Sequence, residues 1–216
     1  NKHWNNSMRR DDEFWMRRAV NLGLTHRCAI ECPNCPRQYM FRDRGLKVPG
    51  KDLSDSNFEK ILDFMTKIDF EGQYSDPVHH PKFVEFLKKS FDRQIIVEIH
   101  NASSVKPLKW YIKAFEAHPY AKWVFSIDGL PKDSHQYRIN QDGEKLFNVM
   151  KESVKYLKVK PTWQYIVFKY NQNDIDEAIK MADSIGVNFY KLISSRWRGS
   201  NDPYKPTLDE YRLEVQ

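Results

Sequence analysis

Cysteine is scarce in this chain of 216 residues, and all three copies fall on one short stretch: Cys28, Cys32 and Cys35. An odd number crowded together is a poor disulfide framework. No second, distant cysteine pair exists to complete the two-knuckle pattern of a structural zinc site. Long apolar runs are missing too; none approaches the ~18 residues of a membrane span, so no membrane partner is expected. The opening residues are polar and lack the apolar core of a secretory signal. Blocks of like charge are also absent. The net charge of +6 is dispersed, which reads as a solvated mixed-charge surface rather than a polyanion-binding tail. Residue 1 is Asn, not Met. The chain is therefore expected to be a fragment or a processed product, with flanking domains outside it.

What is present describes a globular protein. Hydrophobic residues make up 40% and charged residues 30%, a balance that folds rather than stays disordered. The length suits one domain. A chain of this size buries roughly 70% of its unfolded surface, so it needs no metal merely to fold. Aromatics at 14% fall mostly at core positions of helices and strands. Packing accounts for them, although stacking on bases is chemically available.

Strands alternate with helices along the chain. Strands are expected at Ala19 to Leu24, Ile68 to Phe70, Gln94 to Ile99, Trp123 to Ile127, Trp163 to Phe168 and Phe189 to Ile193. Between them run amphipathic helices, such as Phe58, Ile61, Leu62 and Met65 behind a Ser54 cap. Gly186 closes the helix that begins near Asn173. Residues 1–18 read as a lead-in and 196–216 as a polar tail, leading to a domain absent from this chain. Alternation of this kind implies parallel pairing through right-handed crossovers. It suits an α/β fold, a partial (β/α)6 TIM-like barrel of parallel strands. A doubly wound open sheet satisfies the same pattern. In either case ligands gather at the carboxyl ends of the strands.

The cysteines follow the first strand in the spacing C-x3-C-x2-C, within a stretch from His26 to Arg44 that is long for an ordinary connection. Three thiolates can hold three irons of a cubane [4Fe-4S] cluster. Protein clusters usually take four cysteines, so the fourth iron would be open to a small chelating ligand. Zinc held by the three cysteines and His26 is the alternative chemistry, since zinc takes four nitrogen or sulfur ligands.

This motif, placed after a strand, resembles the signature of the radical S-adenosylmethionine (SAM) superfamily. The wording Cys32-Pro-Asn-Cys35-Pro-Arg37 is most like its peptide-modifying SPASM/twitch members. Asn34 departs from the aromatic residue common before the third cysteine; Tyr39 or Phe41 would have to supply that ring. The resemblance covers about residues 19–195 and implies a (β/α)6 barrel core. In the family, Cys28, Cys32 and Cys35 would bind [4Fe-4S], and the open iron would chelate SAM. One electron then cleaves the sulfonium to methionine and a 5′-deoxyadenosyl radical.

The remaining strand ends are read against the same resemblance. Gly72, Gln73, Tyr74 and Asp76 stand where a Gly-Gly-Glu or Gly-Glu-Pro motif receives the SAM amino group; an ordinary Gly/Pro loop is the alternative. Asn101 stands in the Thr-Asn-Gly position near the sugar or methionine, or forms an Asx-turn. Ser126-Ile-Asp128-Gly, followed by Arg138, is similar to the Ser-x-Asp-Gly…Tyr-Arg segment of peptide-modifying members. Ser126 would meet the ribose and Arg138 the methionine carboxylate, a planar match. Asp128 would touch substrate or hold Arg138. Val167 or Phe168 would form the adenine wall. The resemblance implies SAM and [4Fe-4S] as cofactors, a reductant such as flavodoxin or ferredoxin, and a cytoplasmic enzyme that abstracts hydrogen from a peptide or protein. RNA or nucleotide modification is the second reading. A zinc- or cluster-binding interaction module without catalysis is the third.

Overall fold

In the computed structural model, residues 18–72, 74–195 and 197–212 are described. The lead-in, except Arg18, lies outside them, as does Gln73. Six strands form one sheet in the order β1 to β6: Ala19–Asn21, Lys67–Phe70, Ile96–Asn101, Lys122–Ser126, Thr162–Ile166 and Asn188–Leu192. Every neighbouring pair is parallel. A doubly wound sheet reverses its strand order at a switch point. Here the order never reverses, so successive right-handed crossovers carry all connecting helices to one face. The other face is left to curl round a site. This arrangement is the partial barrel, and it settles the choice between the two α/β architectures. Among the described residues β6 pairs only with β5 and β1 only with β2, so the barrel is open.

The helices are α1 Pro36–Arg44, α2 Asp55–Leu62, α3 Phe83–Asp92, α4 Leu108–Ala117, α5 Gly143–Ser153 and α6 Ile175–Ile185. Local chemistry sets several ends. Ser54 accepts from the Asn57 N–H at the start of α2, and Asp142 accepts from the Lys145 N–H at the start of α5. Gly186 takes φ 75° at the close of α6, where only glycine is unstrained. The sequence pattern places α1 within the long loop from His26 to Arg44. The helix has Pro36 in its first turn and Gly45 as a left-handed cap, but no buried residue, so it carries no apolar stripe to betray it.

The core lies between sheet and helices and is aromatic. Phe58 stacks on Phe86 at 4.0 Å between ring centres, and Trp123 meets Phe115 edge-on at 5.0 Å. Alternate strand residues such as Val97, Ile99, Trp123 and Phe125 are buried against the helices. By the period-2 rule Glu98, His100 and Ser126 then face the opposite, concave side.

Candidate functional site

The cysteine loop leaves the carboxyl end of β1 and is pinned at its base. Leu24 is buried in the core, and its carbonyl accepts from Leu53 at 2.8 Å. Thr25 donates to Asp52 at 2.7 Å, and Arg27 pairs with the same carboxylate. Neighbouring loops then grip the loop itself. The Asp76 N–H reaches the Arg27 carbonyl and the Glu31 N–H reaches that of Ile139. The Ala29 N–H donates to His79 Nε2 at 3.3 Å. Cys35 is the N-cap of α1. All three thiols are free. Burial pushes the Cys28 thiol up to about 12, with the nearby Asp76 adding to it. Burial also raises Cys32, against the opposing pull of Arg138. Arg138 lies with Nη1 3.9 Å from the Cys32 sulfur, a fixed positive charge that favours a thiolate there.

The three cysteines open on a cavity of about 520 Å³ at the carboxyl ends of the strands. Gly72, Tyr74, Asp76, Ser126, Arg138 and Phe168 line it as well. The sequence reading thus converges on one space from four strand ends. Asn101 and Asp128 stand behind the wall. Asn101 donates to the Tyr111 hydroxyl and accepts from the Ser103 N–H, in an Asx-type turn. Asp128 is fully buried; it accepts from Arg138 Nε at 2.7 Å and from the Ile166 N–H at 2.8 Å. Of the two roles considered for it, holding Arg138 is the one the geometry displays.

Asp76 is more engaged than a free ligand carboxylate. One oxygen accepts from the N–H groups of Ala102 and Ser103, both at 2.8 Å, and the other from Val78 at 3.2 Å. It ties the β2 loop to the β3 loop. Burial lifts its carboxyl to about 6, and those three N–H groups hold it from rising further. Gly72 has a steric reason for its identity: a Cβ there would fall 2.6 Å from the Ser75 carbonyl oxygen. Tyr74 stands at the rim, 42% exposed, its carbonyl held by Arg37. Phe168 stacks on Tyr137 at 4.0 Å and packs edge-on against Trp197 and Tyr204.

Residues in the wall and behind it escape the sequence reading. Tyr137 had only its place beside Arg138 as a signal. Gln164 donates to the Ser126 hydroxyl at 3.2 Å. Gln141 donates to the carbonyls of Ala102 and Ser126, bridging the ends of β3 and β4. The segment read as a polar tail, described from Trp197 to Arg212, folds back over this wall. Asp202 accepts from Asn34 Nδ2 at 3.0 Å, so Asn34, at the position where the family favours an aromatic, is a latch to that segment.

Among the described residues no three His, Cys, Asp or Glu side chains are grouped about a single point. A cubane asks for something else, one thiolate for each of three separate irons. Three free thiols on one cavity wall, collared by Ile30, Tyr137 and Phe168, fit that demand.

No family model matches the chain, and no curated protein sequence matches it. Its fold does find solved counterparts. Streptococcus suis SuiB bound to S-adenosylmethionine matches with a TM-score of 0.66 at 13% identity, over 89% of this chain and 44% of that one. SuiB bound to the precursor peptide SuiA matches at 0.65 and 13%, over 81% and 38%. Methylornithine synthase (PylB) matches at 0.55 and 11%, over 86% and 55%. The chain spans under half the length of SuiB, and at these identities the likeness is one of fold. It is the fold that the cysteine-loop resemblance implied.

Proposed function

We propose that this chain is the core of a radical SAM enzyme acting on a peptide or protein. One observation carries the reading: the C-x3-C-x2-C loop and the ends of the five other strands meet on one cavity, with three free thiols and a buried arginine in its wall. Cys28, Cys32 and Cys35 would hold [4Fe-4S], which supplies the electron that cleaves SAM reductively to a 5′-deoxyadenosyl radical. The protein's own residues bind, orient and exclude water. Arg138, held by Asp128 through Nε and with Nη1 beside the Cys32 sulfur, offers its other terminal nitrogen to the methionine carboxylate. Ser126, steered by Gln164, offers its hydroxyl to the ribose. Phe168 and Tyr137 wall the adenine. Gly72 and Tyr74 border the amino end, and Asp76 shapes that border by fixing the loops while presenting negative charge to an ammonium.

A peptide substrate is supported by the Cys-Pro-Asn-Cys-Pro-Arg and Ser-Ile-Asp-Gly wording, and by the fold shared with a protein solved with its precursor peptide. Among the described residues no helix is long and apolar enough to cross a membrane. The reading includes a cytoplasmic setting and a flavodoxin- or ferredoxin-type reductant. The test of substrate class is to incubate reconstituted protein with candidate peptides encoded beside its gene. A peptide that gains or loses hydrogen by mass spectrometry in step with 5′-deoxyadenosine supports the reading. Consumption of SAM driven by RNA and not by peptide replaces it with the nucleic-acid one.

A further inference from the structure

Helix α1 sends its first turn, Pro36 and Arg37, to the cavity and its later residues to the surface. None of its residues is buried, Phe41 is 56% exposed, and Leu46 just beyond it is 50% exposed. Yet its position is closely defined. It begins at Cys35, which makes it the direct continuation of the cysteine loop onto the surface. Arg42 donates to the Pro33 carbonyl, between Cys32 and Cys35. Arg198 reaches the same carbonyl from the chain's later segment at 3.3 Å. Arg198 also donates to the Tyr39 hydroxyl and lies 4.2 Å over its ring. Two guanidinium groups are thus fastened along the outer edge of the loop. Arg44 and Lys47 extend the positive charge, against a single carboxylate on the helix, Asp43.

We propose that this surface is the docking face of a small acidic one-electron carrier of the flavodoxin class. The inference rests on the radical SAM reading above. That reading requires one electron at a time: the donor's reduced flavin is oxidised by one electron, and the group held by Cys28, Cys32 and Cys35 is reduced by one. Electron transfer weakens steeply with distance, so the donor has to sit against the cysteine loop. The cavity side of that loop, which includes Pro36 and Arg37, faces SAM and substrate, which leaves the outer side where Phe41 to Lys47 lie. Electron-transfer encounters use small interfaces, below ~1,200 Å². They rely on a few apolar contacts inside a charged rim, with complementary charge steering the encounter. Phe41 and Leu46 within Arg42, Arg44, Lys47 and Arg198 have that composition. The charge calls for an acidic partner.

The experiment uses the cluster-reconstituted chain, SAM, and either dithionite or a reduced flavodoxin, and compares the native protein with R44E/K47E and with Phe41→Ser. Arg44 and Lys47 are exposed, and none of the three residues lines the cavity. Flavodoxin-driven formation of 5′-deoxyadenosine is expected to fall about tenfold or more in R44E/K47E, while the dithionite-driven rate stays unchanged. Titration of flavodoxin onto the protein, followed by flavin fluorescence, gives a second readout. The dissociation constant should rise to a similar degree, and native binding should weaken steeply with added salt. Equal flavodoxin rates and affinities in native and variant proteins overturn the docking face. So does a variant slowed equally with both reductants, or flavodoxin binding that resists salt. Failure of native protein to make 5′-deoxyadenosine with dithionite would instead overturn the underlying reading, whatever the binding result.

Discussion

Asp128 uses both carboxylate oxygens inside the protein, one on Arg138 and one on the Ile166 N–H. Replacing it by Asn keeps an acceptor for Ile166 but leaves Arg138, only 14% exposed, without its counter-charge. Breaking such a buried pair costs about 3–5 kcal/mol. D128N should therefore lower the urea midpoint and weaken SAM binding about tenfold or more, by calorimetry; unchanged SAM affinity would detach the pair from the site. Glu98 makes a separate prediction on the same concave face. Its hydrogen bond from His100 holds it down to about 2, Lys122 helping and burial opposing. A depressed carboxyl stabilises the fold above its unfolded value near 4.5 and loses that contribution as pH falls towards 2. Glu98→Gln should cost on the order of 2 kcal/mol at neutral pH, after discounting for its partial exposure to solvent, and about half that or less at pH ~3, by urea unfolding. An equal cost at both pH values would mean the charge is not what matters. At this scale the sequence was most informative where chemistry is local. The three cysteines are recognisable by spacing alone, and Arg138 by its Ser126-Ile-Asp128-Gly context. Gln141, Gln164 and Tyr137 were not legible, because their roles depend on partners 15 to 39 residues away.

At the scale of elements, five of the six helices carried an apolar stripe and were visible as periodicity, while α1 was hidden by its exposure. The strands were located but shifted at their ends. Ala19 to Leu24 read as one strand, yet pairing with β2 covers only Ala19–Asn21, since the chain then turns into the loop. The returning segment from Trp197 was read as polar and loose because its anchors are single residues. Asp202 is the chief one, only 7% exposed, accepting from Asn34 Nδ2 and from the N–H groups of Arg198 and Tyr204. Asp202→Ala strands three donors, each costing about 1–3 kcal/mol if it stays dry. Hydrogen exchange over residues 197–212 should quicken strongly, and protection at Cys32 to Cys35 should fall with it. Exchange confined to its native rate would show that the segment is held by its aromatic contacts alone. Gly129 offers a milder test. Its φ of 112° and a Cβ position 3.1 Å from Tyr170 mean that Gly129→Ala must strain the turn beneath Asp128, lowering thermal stability by an amount that Tyr170→Phe would not reproduce.

For the whole molecule, the sequential strand order explains why a site forms at all. Helices crowd one face, the other curls, and the carboxyl ends of β1 to β6 are brought round a single space. The alternation of strands and helices was legible, but the order of strands within the sheet was not, because pairing between distant strands leaves no periodicity. Radical chemistry in that space is tested most directly by anaerobic iron and sulfide reconstitution, followed by dithionite and SAM, with 5′-deoxyadenosine measured by chromatography. The expected result is a brown protein that makes 5′-deoxyadenosine, and a Cys32→Ala variant that loses both colour and product. A colourless protein carrying one zinc per chain and making no 5′-deoxyadenosine would contradict it.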